Sequence, residues 1–310
     1  MTPDDQNLSH HGVDDFIAGN AHASETMRLL IERSSCRSFY NRPIPAEILE
    51  LILKAGIHAP TGGNLQPFSI IVVEKKAALQ KLAELNEDQM FIAEAPAALI
   101  FCIDWRRLSR WAELEAAPFA ANNSFRHFWI SFQDTIIAAQ NICTAADALG
   151  LGSVYVGTII DKLREHRELL ALPKCVFPVV LLSLGYPKAR PVPKKKLPPR
   201  ALVHREKYQD LSDNDLQAVF NEKYPALRRE VTNERLEIIS QVCRDLHGDQ
   251  YADRCLENIR KHGYINAAQY YFGLHYRADL MQQGNEEYLR LIREFGFGWF
   301  ENKPGRSSGE

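Results

Sequence analysis

The 310-residue chain has no run approaching the ~20 apolar residues of a membrane-spanning helix, so no span is expected. Its opening, MTPDDQNLSHHGVDDFIAGN, is acidic and polar and lacks the apolar stretch of a secretory signal. There is no C-x-x-C: Cys36, Cys102, Cys143, Cys175, Cys243 and Cys255 stand far apart. That spacing fits a reduced, cytoplasmic protein with structural thiols better than a disulfide framework. The ten histidines are scattered, so no metal site is expected. Charge of one sign is also missing: Lys+Arg 37 against Asp+Glu 39 leaves −2. A global basic field for nucleic acid or anionic membrane is thereby excluded, though a local anion site is not. Neither a P-loop nor a G-x-G-x-x-G occurs.

What is present is an ordinary globular composition, 45% hydrophobic and 25% charged, long enough for one large domain or two smaller ones. Residues 1–24 are expected to form a flexible tail. From Glu25 to about residue 208, helix and strand signals alternate. Ile48, Leu51, Ile52 and Ala55 recur at helical spacing after Pro43 and Pro45. Ser69–Val73, Ala98–Ile103, Ser153–Val156 and Phe177–Leu184 are short apolar runs that predict buried strands. Asp134–Leu149 is an alanine-rich helix closed by Gly150. Such alternation implies a layered α/β or α+β domain. Gly185–Arg200, rich in Pro and Lys, is an extended linker. Residues 209–310 are expected to be a helical extension with a polar tail, its helices including Asn233–His247, Gln250–Lys261 and Ile265–Gln283.

Four segments are candidates for chemistry. In Arg33-Ser34-Ser35-Cys36-Arg37, alternate residues project to one side of an extended chain, where two guanidiniums and a hydroxyl suit a phosphate; a solvated basic loop is the plainer alternative. Pro60-Thr61-Gly62-Gly63-Asn64-Leu65-Gln66-Pro67 combines close backbone approach with two amides, or is an ordinary helix-to-strand loop. Gly150-Leu151-Gly152-Ser153-Val154-Tyr155-Val156-Gly157 offers backbone N–H groups after a short strand. Lys194-Lys195-Lys196-Leu197-Pro198 taken alone is a solvated charge run.

In order and spacing, these four together resemble the nitroreductase family of FMN-dependent oxidoreductases, over about residues 25–208. The run from Gln140-Asn141 to Gly157 and the ending Leu197–His204 look closest to its NADPH-preferring nitro and flavin reductases. The resemblance implies an α+β nitroreductase-like fold, a central mixed sheet flanked by helices in an intertwined homodimer, with FMN at the interface. It implies that Arg33, Ser34, Ser35 and Arg37 meet the phosphate, ribityl chain and pyrimidine edge, with Arg37 near N1–C2=O. Lys194 and Lys196 would complete the phosphate site. Pro60, Thr61, Gly62, Asn64 and Gln66 would touch flavin, the first three from the partner subunit. Asn86 and Gln89 would face the pyrimidine ring, and Tyr155, Val156 and Gly157 would border N5 and O4. Hydride would pass from NADPH or NADH through flavin N5 to a nitroaromatic, quinone or flavin in a ping-pong cycle, with no protein nucleophile. The position after Gly157 is Thr158, where that subgroup usually carries a second glycine.

The aromatic-rich extension has no recognised counterpart on this reading. It opens two other possibilities: a specialised flavin-dependent oxidase or dehydrogenase, and a non-catalytic flavin-binding protein that docks a partner. Trp129 is expected in the core.

Overall fold

The computed structural model describes residues 21–300. The expected tail thus lies largely outside the described residues. Its last four residues instead open helix α1 (Ala21–Glu32), where Ala21 and Ala23 are strong helix formers. Helix α2 (Ala46–Ile57) follows, with Pro45 just before its first turn.

Among the described residues, four strands form the sheet: β1 (Phe68–Val73), β2 (Ala97–Asp104), β3 (Gly152–Val156) and β4 (Val176–Gly185), in the order β1-β2-β4-β3. Every residue of β2 and β4 is buried, which is why these central strands appear in the sequence as unbroken apolar runs. Pro178 is tolerated within central β4 because it lies at an irregularity, where the register against β2 shifts between Phe101 and Cys102.

The fold is α+β as expected, but all strand pairs are antiparallel where a mixed sheet was expected. Helices α3 (Lys76–Leu85) and α4 (Phe91–Glu94) return the chain to the end of the sheet it has just left, so β2 lies antiparallel to β1. After β2 come α5 (Arg106–Leu114) and the 24-residue α6 (Phe125–Ala148), about 36 Å long. This long crossover makes β3 codirectional with β2. Helix α7 (Leu163–Leu169) then leads into β4, which inserts between them, so β2 and β3 do not pair.

Helix α6 supplies the core mostly with small residues: Ala138, Ala139, Cys143 and Ala146 are fully buried, together with the larger Ile142. Helix α2 approaches it closely through Gly56, where a Cβ would lie 2.6 Å from Ile142 Cδ1. Trp105, not Trp129, is the core tryptophan. Trp129 is 53% exposed and stacks on Phe132, because its position on α6 faces away from the sheet.

The described residues divide into two compact units, residues 21–193 with 289–300, and residues 194–288. The second unit holds α8 (Asp213–Lys223), capped by Ser212, and the hairpin of α9 (Asn233–His247) and α10 (Asp249–His262) about Gly248. Ile239, Ile259 and Ile265 form its core. The single helix expected over Ile265–Gln283 is instead a short α11 (Ala267–Tyr270), opened by an Asn266–Gln269 capping box, running into a π-turn at Tyr271–His275.

The units therefore differ from the expected division at 208/209. Helix α12 (Asn285–Glu294) bridges the second boundary, and the residues after it rejoin the first unit. Phe295 and Phe297 are 1% exposed and meet the Phe177 ring edge-on at 5.2 and 6.2 Å. Trp299 lies 4.5 Å from Phe128. These aromatics have no periodicity, so their destination was not visible in the sequence.

Candidate functional site

The segment after α1 runs beside β3, with the Cys36 N–H donating to the Ser153 carbonyl at 2.9 Å. Gly152 admits it: a Cβ there would sit 2.8 Å from Cys36 Cβ. Cys36 is 1% exposed and packs with Phe39, Ala95 and Val154, which leaves it a structural thiol. Its neighbours Ser34 and Ser35 are half-buried and Arg37 is exposed.

Arg33 is drawn inward. Its Nε donates to Cys143 Sγ at 2.9 Å and lies 3.6 Å from Asp147 Oδ2, and Nη2 reaches Ser153 Oγ at 3.5 Å. Asp147 is buried on α6 and also accepts from Arg190 Nη1 at 2.9 Å. Arg37 makes no ion pair among the described residues, and its guanidinium lies 5.7 Å from the Phe91 ring centre. Tyr155 is half-buried with its hydroxyl toward Gln140 Oε1 at 3.4 Å, and burial pushes its pKa up, keeping it neutral. Strand pairing ends at Val156, and Gly157 is exposed just beyond. Arg33, Arg190 and the Tyr155 hydroxyl thus converge on the C-terminal half of α6.

Asn86 does not face outward, contrary to the expectation that it contacts a ring. It is fully buried, donating to the Leu82 carbonyl at 2.8 Å and hydrogen-bonding His166 at 3.0 Å. Its Oδ1 accepts from Thr158 Oγ1 at 3.0 Å. Gln89, half-buried, donates from Nε2 to that same Thr158 oxygen at 3.0 Å. Between them, Glu87 and Asp88 hold consecutive left-handed conformations (φ 58° and 53°), strain of the kind that concentrates at functional sites.

Burial lowers the pKa of His166, and the ring stays neutral in the fold. The unfolded chain takes up a proton at about pH 6.5 that the folded chain refuses, so stability falls as pH drops below that value. Urea midpoints measured between about pH 7.5 and 5.5 should fall less steeply in His166→Asn than in the unchanged protein. Equal slopes would show that this imidazole does not control the acid arm.

The second group lies along the N-terminal half of α6. The Gly62 N–H donates to both oxygens of Asp134, at 3.1 and 3.2 Å, while burial holds that carboxyl above its usual pKa. Thr61 Oγ1 accepts from the Gln66 N–H at 3.2 Å, and Gln66 Nε2 donates to the Ile57 carbonyl at 2.9 Å. Asn64 and Gln66 are left-handed (φ 56° and 50°), Gln66 directly before Pro67, and Pro60 is exposed. A cavity of about 310 Å³ opens between Gly62 and Gly63 and residues Arg126, His127 and Asp134 of α6. From Asp134 to Cys143 the helix rises about 13 Å, so the two groups stay apart within one chain. Lys194 and Lys196 begin the second unit, exposed, with Lys195 between them 3.8 Å from Glu222.

Sequence reasoning missed Asp147, Arg190 and His166. Asp147 carried a signal, an acid within the apolar run Cys143–Leu149. His166 carried none, because its partner Asn86 is 80 residues away.

Comparison with known proteins agrees with the motifs. The profile of the nitroreductase family matches residues 30–186. An FMN reductase [NAD(P)H] of Bacillus subtilis is 30% identical over 244 residues, 78% of this chain and 98% of that protein. An oxygen-insensitive NADPH nitroreductase of Salmonella typhimurium is 34% identical over 200 residues, 64% of this chain and 81% of that protein. Among solved structures, NfrA2 of B. megaterium superposes with a TM-score of 0.66 at 28% identity, covering 89% of this chain and 99% of its own. That coverage extends beyond residue 208, so much of the extension has a structural counterpart after all. The chain belongs to the nitroreductase family.

Proposed function

We propose that the protein is an FMN-dependent oxidoreductase drawing hydride from NADPH or NADH and delivering it to a small electron-poor acceptor, a nitroaromatic, quinone or flavin. The observation that carries this reading is the open edge beside β3. There Arg37 stands without an ion pair, Arg33 is held inward by Cys143 with Asp147 nearby, and Gly157 ends the strand uncovered. The residues fit an anionic, ring-bearing cofactor: cations for a phosphate or a reduced ring edge, a buried-backed amide at Gln89, and a strand end without a side chain. Bound FMN would supply hydride acceptance and release at N5, in a ping-pong order.

The chain's own residues position and polarise. Arg37 places positive charge where a reduced ring would carry negative charge. The Cys143 thiol, with Asp147 3.6 Å away, holds Arg33 inward. Lys194 and Lys196 would add phosphate contacts as point charges. Pro60, Thr61 and Gly62 are supplied by the partner subunit of a homodimer. Two observations support that assignment: the roughly 13 Å between the groups along α6, and an uncovered apolar face formed by Leu51 and Ile57 of α2 with Trp129, Phe132 and Ile137 of α6. Six free thiols suit a reducing, cytoplasmic setting. No helix among the described residues is long and apolar enough to cross a membrane.

Initial rates of NADPH oxidation by the FMN-loaded protein, varied against a quinone, should give parallel double-reciprocal lines. Intersecting lines would contradict the two-step cycle.

A further inference from the structure

The geometry points to Thr158 as a positioning residue that fixes the Gln89 amide with its oxygen outward, so that the site accepts a hydrogen bond from the imide N3–H of a flavin. This rests on the function proposed above and adds a residue that the pattern of the NADPH-preferring subgroup does not supply, since a glycine usually stands there in that subgroup.

The polarity follows from two backbone carbonyls, which can only accept. The Lys162 carbonyl lies 2.8 Å from His166 Nδ1, so that nitrogen carries the proton. Neutral His166 therefore accepts at Nε2 from one hydrogen of Asn86 Nδ2, while the other hydrogen goes to the Leu82 carbonyl. With both amide hydrogens committed, Asn86 offers only Oδ1 to Thr158, and the single Thr158 hydroxyl hydrogen is spent there. Thr158 Oγ1 can then only accept from Gln89, which fixes Nε2 inward. The Gln89 side chain makes no other hydrogen bond among the described residues. Its Oε1 is left as the acceptor at the half-buried end of a one-way chain of four hydrogen bonds.

A glycine at position 158 would leave the Gln89 amide free to turn either end outward. The pyrimidine edge of a flavin presents one N–H between two carbonyls, so amide orientation decides whether the ring meets an acceptor or a donor.

The test uses the full chain stripped of flavin and titrated with FMN or 3-methyl-FMN, read by quenching of flavin fluorescence. The unchanged protein should prefer FMN by at least about tenfold. Thr158→Val removes the hydroxyl at constant shape and should reduce that preference to within about threefold; Thr158→Ser should restore it. Gln89→Ala should lose the preference too, and Thr158→Val added to it should change nothing further. A Thr158→Val protein that keeps the full preference, or an unchanged protein that binds both flavins equally, overturns the inference alone. An unchanged protein that binds neither flavin overturns the proposed function with it.

Discussion

Replacing Arg37 by alanine should weaken FMN binding at least tenfold, about 1.4 kcal/mol, while the melting temperature of the flavin-free protein stays nearly unchanged. The two halves of this expectation have separate causes. Arg37 is exposed and holds no ion pair among the described residues, so its removal leaves no buried partner uncompensated. Its guanidinium is for the same reason available to an incoming anion, and a charge-assisted hydrogen bond is roughly twice as strong as a neutral one. Arg33→Ala should behave differently. It strands Asp147 on α6 beside Arg190 alone, so flavin affinity and protein stability should fall together. Fluorescence titration with FMN and a thermal melt of both variants separate the cases. Unchanged affinity in Arg37→Ala would reject the placement of the anion and ring-edge site.

Mixing two variants that each bind FMN weakly should restore tight flavin binding at a concentration only the intact site fills, if each site is built from both subunits. One variant is Arg37→Ala; the other is Pro60→Trp, at a position exposed in the single chain and therefore able to take the larger side chain without disturbing the fold. Each homodimer carries two damaged sites. Each mixed dimer carries one site with both defects and one with none, so random exchange at equal amounts should restore about a quarter of all sites. FMN bound per subunit after co-refolding, with sedimentation to verify dimers, measures this. No recovery in a mixture that is demonstrably dimeric would place Pro60, Thr61 and Gly62 in their own chain's site.

The parts of the fold that were legible share one property: their sequence signal is local. β2 and β4 are buried on both faces, and the runs ALIFCI and FPVVLLSL state it directly. Helix α6 was legible from Asp134, where alanines dominate, but it begins at Phe125, where Ser124 caps it and the aromatics Phe125, Phe128 and Trp129 hide the periodicity. The antiparallel sheet was not legible, because the insertion of β4 between β2 and β3 is a long-range fact. At the site, motif order nominated Arg33, Arg37, Gln89 and the Pro60–Gln66 loop, a local signal. It could not show that Asn86 is buried against His166, 80 residues away, and it gave Thr158 only as a departure from pattern. Phe295 and Phe297 were legible as apolar, but not as part of the first unit's core.

Flavin reduction by a nicotinamide is read from the visible spectrum of the purified protein, reconstituted with FMN and kept anaerobic, before and after addition of NADPH and then NADH. The protein should be yellow, with flavin bands that bleach with a reduced nicotinamide and return when a quinone is added. A protein that takes up no FMN, or whose bound flavin no nicotinamide bleaches, would contradict the proposed function.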